Sequence, residues 1–481
     1  MTDASFTPPQ SRRPPLLSTG QWIGLALAVG GFLLPLLVSI DGLSPAGHRM
    51  LAIFFLAVAL WVAEVVPLHA TAVLIILLEV LLLSDKGFTT ANDGFVPIKY
   101  ANLFAALADP VIILFLGGFF LADGATKYRL DRNLARIILR PFGDRPAMIL
   151  LGLMLITAFF SMFMSNTATT ATFMAVVLPV IAQLPREDGF RTALALSIPI
   201  AANIGGIGTP IGTPPNAIAL GALSKALGGT PVTFAHWMLG AMPFALAFLA
   251  IAYVLLVLMY RSSSRAIAVN VASTFDRRPK AIIFYVVFAG TVLLWMTENL
   301  HGINSNVIGF VPVVALTCTG VFGVDDIQKL EWHVLWLVAG GIALGTGIAA
   351  TGMDQWFISL FPWGRMGPFL LVAVLTLAAM LMSQFLSNSA TCNLLAPIGI
   401  SLAMSGVVKV SPIEAGVFIA IGTSMAMALP ISTPPNAIAF ATGQVKVRDM
   451  AVVGSIFGAA AWVLFVLLGP WVWRTLGILP E

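Results

Sequence analysis

The chain has 481 residues, of which 59% are hydrophobic and 10% charged, with a formal net charge of +4 and a mean hydropathy of +0.96. Soluble domains carry about 25% charged residues, so a water-soluble globular protein is excluded. Two cysteines, Cys318 and Cys392, both in apolar surroundings, exclude a disulfide framework or a CxxC metal site.

Apolar runs bounded by charged or Gly/Pro-rich breaks are read in chain order as helices. Residues 1–20 form a polar tail with Arg12 and Arg13. No small-residue cleavage pattern follows it, so the first apolar run is a retained span. Spans 1 to 4 fall at about 21–40, 48–66, 68–84 and 104–124. An apolar pair at 147–184 is interrupted by SNTATT, and span 5, about 191–228, contains GTPPNAIAL. Spans 6 to 9 lie near 235–260, 280–298, 303–323 and 332–352. A second interrupted pair occupies 366–405 around SNSATCN. Span 10, about 411–445, contains STPPNAIAF, and span 11 runs over about 450–477.

The expected fold class is an all-α polytopic membrane protein with eleven transmembrane helices and two re-entrant helical hairpins. With a cytoplasmic N-terminus, 18 of the 25 lysines and arginines fall on the cytoplasmic side and 7 outside, as the positive-inside rule requires. Loop parity would be the same if each interrupted pair crossed the bilayer twice. Charge therefore sets the orientation, and the polar tips carry the hairpin reading. Among carboxylates in or beside apolar runs, Glu64 and Glu79 look deep; neither is repeated, and both are read as structural, as are Asp109, Asp123 and Glu298.

Three signals recur in order. LGGFFLADG at 116–124 resembles AGGIALGTG at 339–347, SNTAT at 165–169 matches SNSAT at 387–391, and TPPNAIA at 213–219 returns at 433–439. The offsets are 223, 222 and 220. Spans 5 to 9 separate the two SN motifs, an odd number of crossings, so the second copy enters from the opposite face. Inverted-topology repeats with discontinuous helices characterise many secondary transporters, whose sites lie near the midplane.

Two successive prolines should stop a helix inside the membrane, because each removes a donor and clashes with the preceding turn. The backbone groups so freed are tolerated only in buried or water-lined positions. Broken ends offer carbonyls to a cation and N–H groups to an anion. Ser161 and Ser165 are one helical turn apart, with Asn166 following, and Ser383, Ser387 and Asn388 repeat the pattern. Such neutral oxygens suit a cation such as sodium that must be released in every cycle. Asn166, Thr167, Thr213, Asn388, Ser389 and Thr433 can donate to carboxylate oxygens. No Lys or Arg falls within either motif, so an anionic solute would depend on helix N-termini and bound cations, and the two would bind cooperatively. Nothing resembles a phosphate loop, a metal-ligand cluster or a catalytic triad; neither an enzyme nor a nucleic-acid partner is expected.

The paired SNT and TPPN signatures resemble the divalent anion/sodium symporter family over nearly the whole chain. The resemblance implies a homodimer in the inner membrane, N-terminus cytoplasmic and C-terminus periplasmic, moving substrate by an elevator motion. Residues 21–146 and 263–365 would form the scaffold, and 147–262 and 366–481 the two halves of the transport domain. One Na+ site would use Ser161, Ser165, Asn166 and the backbone of Gly212. The other would use Ser383, Ser387, Asn388 and the backbone of Ser432. Substrate carboxylates would meet Asn166, Thr167, Asn388 and Ser389, with Thr433 and Pro434 bearing on selectivity. The expected activity is sodium-coupled symport of C4-dicarboxylates such as succinate, malate or fumarate. Citrate or sulfate as cargo, sodium-independent exchange, and an anion channel are the alternatives. The second motif departs from the family pattern, reading SNS, so Ser389 keeps the hydroxyl but lacks the methyl.

Overall fold

The computed structural model describes residues 18–88, 95–267 and 274–479; residues 1–17 of the expected tail, with Arg12 and Arg13, lie outside it. The described residues are helical throughout, apart from short turns, loops and one isolated bridge. Among the described residues, eight helices are long and apolar enough to cross a membrane: Thr19–Leu37, Pro45–Ala63, Tyr100–Lys127, Phe190–Ile207, Phe234–Met259, Pro279–Met296, Trp332–Thr351 and Val447–Thr475. They coincide with predicted spans 1, 2, 4, 5, 6, 7, 9 and 11. Leu68–Leu83, Ser305–Cys318 and Pro412–Ser424 are shorter apolar helices at spans 3, 8 and 10.

Each interrupted pair is a helical hairpin. The first has arms Pro146–Ser161 and Asn166–Ala182; the second has arms Pro368–Ser383 and Asn388–Met404. The arms are 16 and 17 residues long in both. At 1.5 Å per residue such arms reach about 24–26 Å, less than the roughly 30 Å of a hydrocarbon core. Both first arms open on a proline, which costs nothing where no intrahelical donor is needed. Both second arms open on a serine, Ser165 or Ser387, whose side chain accepts from the N–H of Ala168 or Ala390.

Spans 5 and 10 are broken, and the double prolines begin a helix instead of ending one. Phe190–Ile207 stops, the chain turns through 208–212 to an extended Thr213 (φ −149°, ψ 144°), and Pro214–Leu227 starts with Pro214 at its first position. Pro412–Ser424 stops likewise, Thr433 is extended (φ −144°, ψ 148°), and Pro434–Ala441 follows. Each second fragment packs across the repeat. Pro214–Leu227 lies against Asn388–Met404 and Pro412–Ser424, while Pro434–Ala441 lies against Asn166–Ala182 and Phe190–Ile207.

Helices 19–37, 45–63, 68–83, 110–127, 279–296, 305–318 and 332–351 pack largely on one another, as do the hairpins with the broken spans, Phe234–Met259 and Val447–Thr475. Trp332–Thr351 joins the two groups by contacting both Pro214–Leu227 and Asn388–Met404. One expectation is corrected. Glu64 is not deep: the helix ends at Ala63, and Glu64 is an exposed left-handed cap (φ 44°) in the turn before Pro67. Val65 and Val66 are poor helix formers and Pro67 disfavours helix in the residue before it, so the apolar run continues through a turn. Glu79, by contrast, is fully buried.

Candidate functional site

The first tip gathers oxygen atoms around one amide. Ser161, fully buried at the end of its arm, donates to Asn166 Oδ1 at 2.7 Å. The same Asn166 atom position is 3.2 Å from the Ala202 carbonyl oxygen and 3.2 Å from that of Gly212. A methyl group on Gly206 would stand 2.5 Å from this amide oxygen and 3.1 Å from Gly212 O, so only glycine leaves the space open. Gly212 is equally constrained, since its Cβ would lie 2.5 Å from Gly206 O. One side-chain hydroxyl, one amide and two backbone carbonyls thus converge without a charged donor. Ser165 caps Ala168 at 3.3 Å and donates to Glu331 Oε1 at 2.9 Å.

The second tip repeats the central bond: Ser383 donates to Asn388 Oδ1 at 2.7 Å, and Ser387 caps Ala390 at 3.1 Å. Ser432 differs from its counterpart Gly212 in using its hydroxyl, which donates to Leu429 O at 2.7 Å. Thr433 caps the N–H of Asn436 at 3.3 Å, whereas Thr213 makes no side-chain cap. Thr167 and Pro434 are exposed, Ser389 half-buried, Thr213 buried. Among the described residues no group of three His, Cys, Asp or Glu side chains could hold a metal ion, so the cation-binding potential here lies in neutral oxygens.

Each helix leaves its first N–H groups without intrahelical partners. At the tips these belong to Asn166 and Thr167, and to Asn388 and Ser389, because the serine caps already engage the third. The broken fragments contribute less, since Pro214, Pro215, Pro434 and Pro435 have no N–H at all. The anion-attracting ends of this site are therefore the hairpin tips.

Sequence reasoning missed the asparagines that close the breaks. Asn216 Nδ2 donates to Thr209 O at 2.7 Å and Gly206 O at 3.0 Å, and Asn436 Nδ2 donates to Leu429 O and Met427 O, both at 3.0 Å. Thr209 and Leu429 are 220 residues apart, so the same carbonyl is satisfied in each copy. Trp237 Nε1 takes Ile207 O at 2.9 Å, and Thr209 donates to Met162 O. The signal was in view as the N of TPPN. Asn203 also went unnoticed: fully enclosed, it contacts Asn166, Thr433 and Asn436. It lies outside both motifs, and its counterpart is Thr423.

Comparison with known proteins agrees with this architecture. An uncharacterized transporter of Haemophilus influenzae is 31% identical over 459 residues, covering 91% of this chain and 94% of the relative. A Staphylococcus saprophyticus protein named sodium-dependent dicarboxylate transporter SdcS is 29% identical, covering 94% of this chain and 91% of its own. The crystal structure of the Alcanivorax borkumensis YdaH transporter, described as having an unusual topology, superposes with a TM-score of 0.51 at 15% identity. It covers 90% of this chain and 100% of that one, a likeness of fold. The family described as sodium:sulfate symporter transmembrane region matches residues 19–479. The chain belongs to that family: it is a multi-pass membrane transporter, not an enzyme.

Proposed function

We propose that this protein is a sodium-coupled symporter of C4-dicarboxylates such as succinate, malate or fumarate. The observation that carries the reading is the first tip, where the Ser161 hydroxyl and the Ala202 and Gly212 carbonyl oxygens converge within 2.7–3.2 Å of one end of the Asn166 amide, with no cationic side chain among them. With the amide oxygen turned toward them, Ser161, Asn166 and the Ala202 and Gly212 carbonyls form a set of hard, neutral ligands that would bind a small monovalent cation without trapping it. Ser383, Asn388 and the backbone of Ser432 would hold a second Na+. Ser165 and Ser387 would act chiefly as caps, each worth about 1 kcal/mol to its helix.

The substrate's two carboxylates would each meet one tip, at the N–H groups and side chains of Asn166 and Thr167 and of Asn388 and Ser389. Thr213, Thr433 and Pro434 would line the space between. The one charged side chain that the described hydrogen bonds of the tips reach is Glu331, which is negative. A dianion therefore needs co-bound cations as well as helix ends, each worth up to about 2 kcal/mol in partly buried sites. Binding of cation and anion is then mutually reinforcing, which is the thermodynamic basis of symport. The name borne by the Staphylococcus relatives supports both the ion and the cargo.

The hairpins and broken spans would move as one body, an elevator, against a scaffold of 21–146 and 263–365 that pairs two copies in the inner membrane. The repeat would be inverted, N-terminus cytoplasmic and C-terminus periplasmic, in keeping with the charge bias. Uptake of radiolabelled succinate into proteoliposomes tests the central claim. Replacing sodium by potassium or choline should abolish it; uptake that persists would mean exchange or another coupling ion. Ser389, which lacks the methyl of the family pattern, leaves room for a different anion, so competition by sulfate and citrate belongs in the same assay. Large unitary currents instead of saturable uptake would point to a channel.

A further inference from the structure

The Asn166 amide fits its surroundings in two ways. With Oδ1 toward Ser161, Ala202 O and Gly212 O, its nitrogen donates to Asn203 Oδ1 at 3.5 Å. Turned over, the nitrogen donates to Ser161 Oγ at 2.7 Å and to the Ala202 and Gly212 carbonyls at 3.2 Å. The second arrangement satisfies the pocket without a cation, and the amide then fills the cation's role. The first suits a pocket that holds a cation, because it sets the Asn166 oxygen against the Ala202 and Gly212 carbonyl oxygens at 3.2 Å, with only the Ser161 hydroxyl donating to it.

Asn203 faces that choice. Its nitrogen is shared between Thr433 Oγ1 at 3.2 Å and Asn436 Oδ1 at 3.4 Å, both in the other half of the repeat. Asn436 cannot turn, because its own nitrogen is held by Met427 O, Leu429 O and Ser432 Oγ. If Asn203 turned, two amide oxygens would oppose each other. Asn203 is thus pinned with its oxygen toward Asn166, where it accepts from the amide in the cation-ready orientation and repels it in the other. Buried polar groups in such networks are costly to leave unpaired, so the orientation is decided along the whole row: Asn436, Asn203, Asn166.

We propose that Asn203 is a positioning residue that sets the Asn166 amide for cation binding and couples the first tip to the Thr433 gap of the opposite half. The inference rests on the sodium reading above and adds to it a physical connection between the two half-sites. It is asymmetric, since the counterpart Thr423 donates instead to Ala420 O within its own helix.

The test uses the purified full chain with sodium as the sole ligand and choline as control, reading the sodium-induced rise in thermal midpoint. Asn203→Thr should raise the half-saturating sodium concentration about tenfold, within the usual span of coupling between sites. Thr433→Val, though Thr433 touches none of the first pocket's ligands, should raise it too, and should add nothing in the Asn203→Thr background. Unchanged sodium response in Asn203→Thr, or fully additive effects of the two substitutions, overturns the proposal. Should Asn203→Thr not fold, an unchanged response in Thr433→Val alone overturns it. A wild-type protein indifferent to sodium would instead remove the symport reading itself.

Discussion

The two broken spans carry the same seven letters, TPPNAIA, and sit in different surroundings. After the first break, Ala217 is 0% and Ile218 1% exposed, within a 14-residue fragment. After the second, Pro434 and Ala437 are exposed and Phe440 is 40% exposed, on a fragment of only 8 residues. The first gap is built on Gly206 and Gly212; the second has Ala426 and Ser432 there. Local sequence fixes what each break does to the backbone, but the packing of the opposite half fixes which break is enclosed and which is left exposed.

Cysteine labelling breaks or sharpens this contrast most directly. Ala437→Cys should react rapidly with a water-soluble maleimide while Ala217→Cys stays protected; equal reactivity would mean the asymmetry is not that of the resting protein. The tips come next, and here the halves should behave alike. Asn166→Ala and Asn388→Ala should each lower uptake by about 10–100-fold, the worth of a hydrogen bond to a charged group, and each should weaken sodium and substrate together. A variant with altered substrate affinity but intact sodium dependence would separate the sites.

The glycine contrast predicts unequal effects. Gly206→Ala places a methyl in the first pocket and should weaken sodium stabilisation about tenfold or more, as a core overpacked by one carbon costs about 1–3 kcal/mol. Ala426→Gly at the matching position should leave sodium binding nearly unchanged. The smallest effect concerns a clasp found in the first half. Asp188, between the hairpin and span 5, accepts from Phe190 N at 2.8 Å, Ser263 N at 3.0 Å and Ser263 Oγ at 2.7 Å. Burial acts to raise its pKa, but the combined hydrogen bonds from Phe190, Ser263 and Ser262 outweigh it and hold the carboxyl below its ordinary 3.8. A depressed native pKa adds stability above the ordinary value, and that stability is lost as pH falls through the native one. Asp188→Asn should therefore lower the thermal midpoint slightly at pH 7, and the difference from wild type should close in acid below pH 3.8.

Much of the architecture was legible in the letters. The spans follow from apolar length, the hairpins from polar SN tips that interrupt two apolar pairs, and the duplication from offsets of 220 to 223. Ser161 with Asn166 and Ser383 with Asn388 were found because their spacing repeats. Glu64 was misplaced because an apolar run was equated with a helix, while Pro67 shifts the boundary. Asn203 was invisible for the opposite reason. A single buried amide in an apolar run has no period and no copy, and its meaning comes from partners 37 to 233 residues away.

The sequence by itself determined that this chain lives in a bilayer, breaks two helices within it and lines the breaks with neutral oxygens. Those outcomes depend on hydropathy, proline geometry and local capping, all of which act over a few residues. The tertiary structure alone decided which oxygens converge, which gap is closed, and that an asparagine in one half answers to a threonine in the other. Cation pockets and buried amide rows require groups from distant segments to meet within about 3 Å, and no local pattern specifies such a meeting.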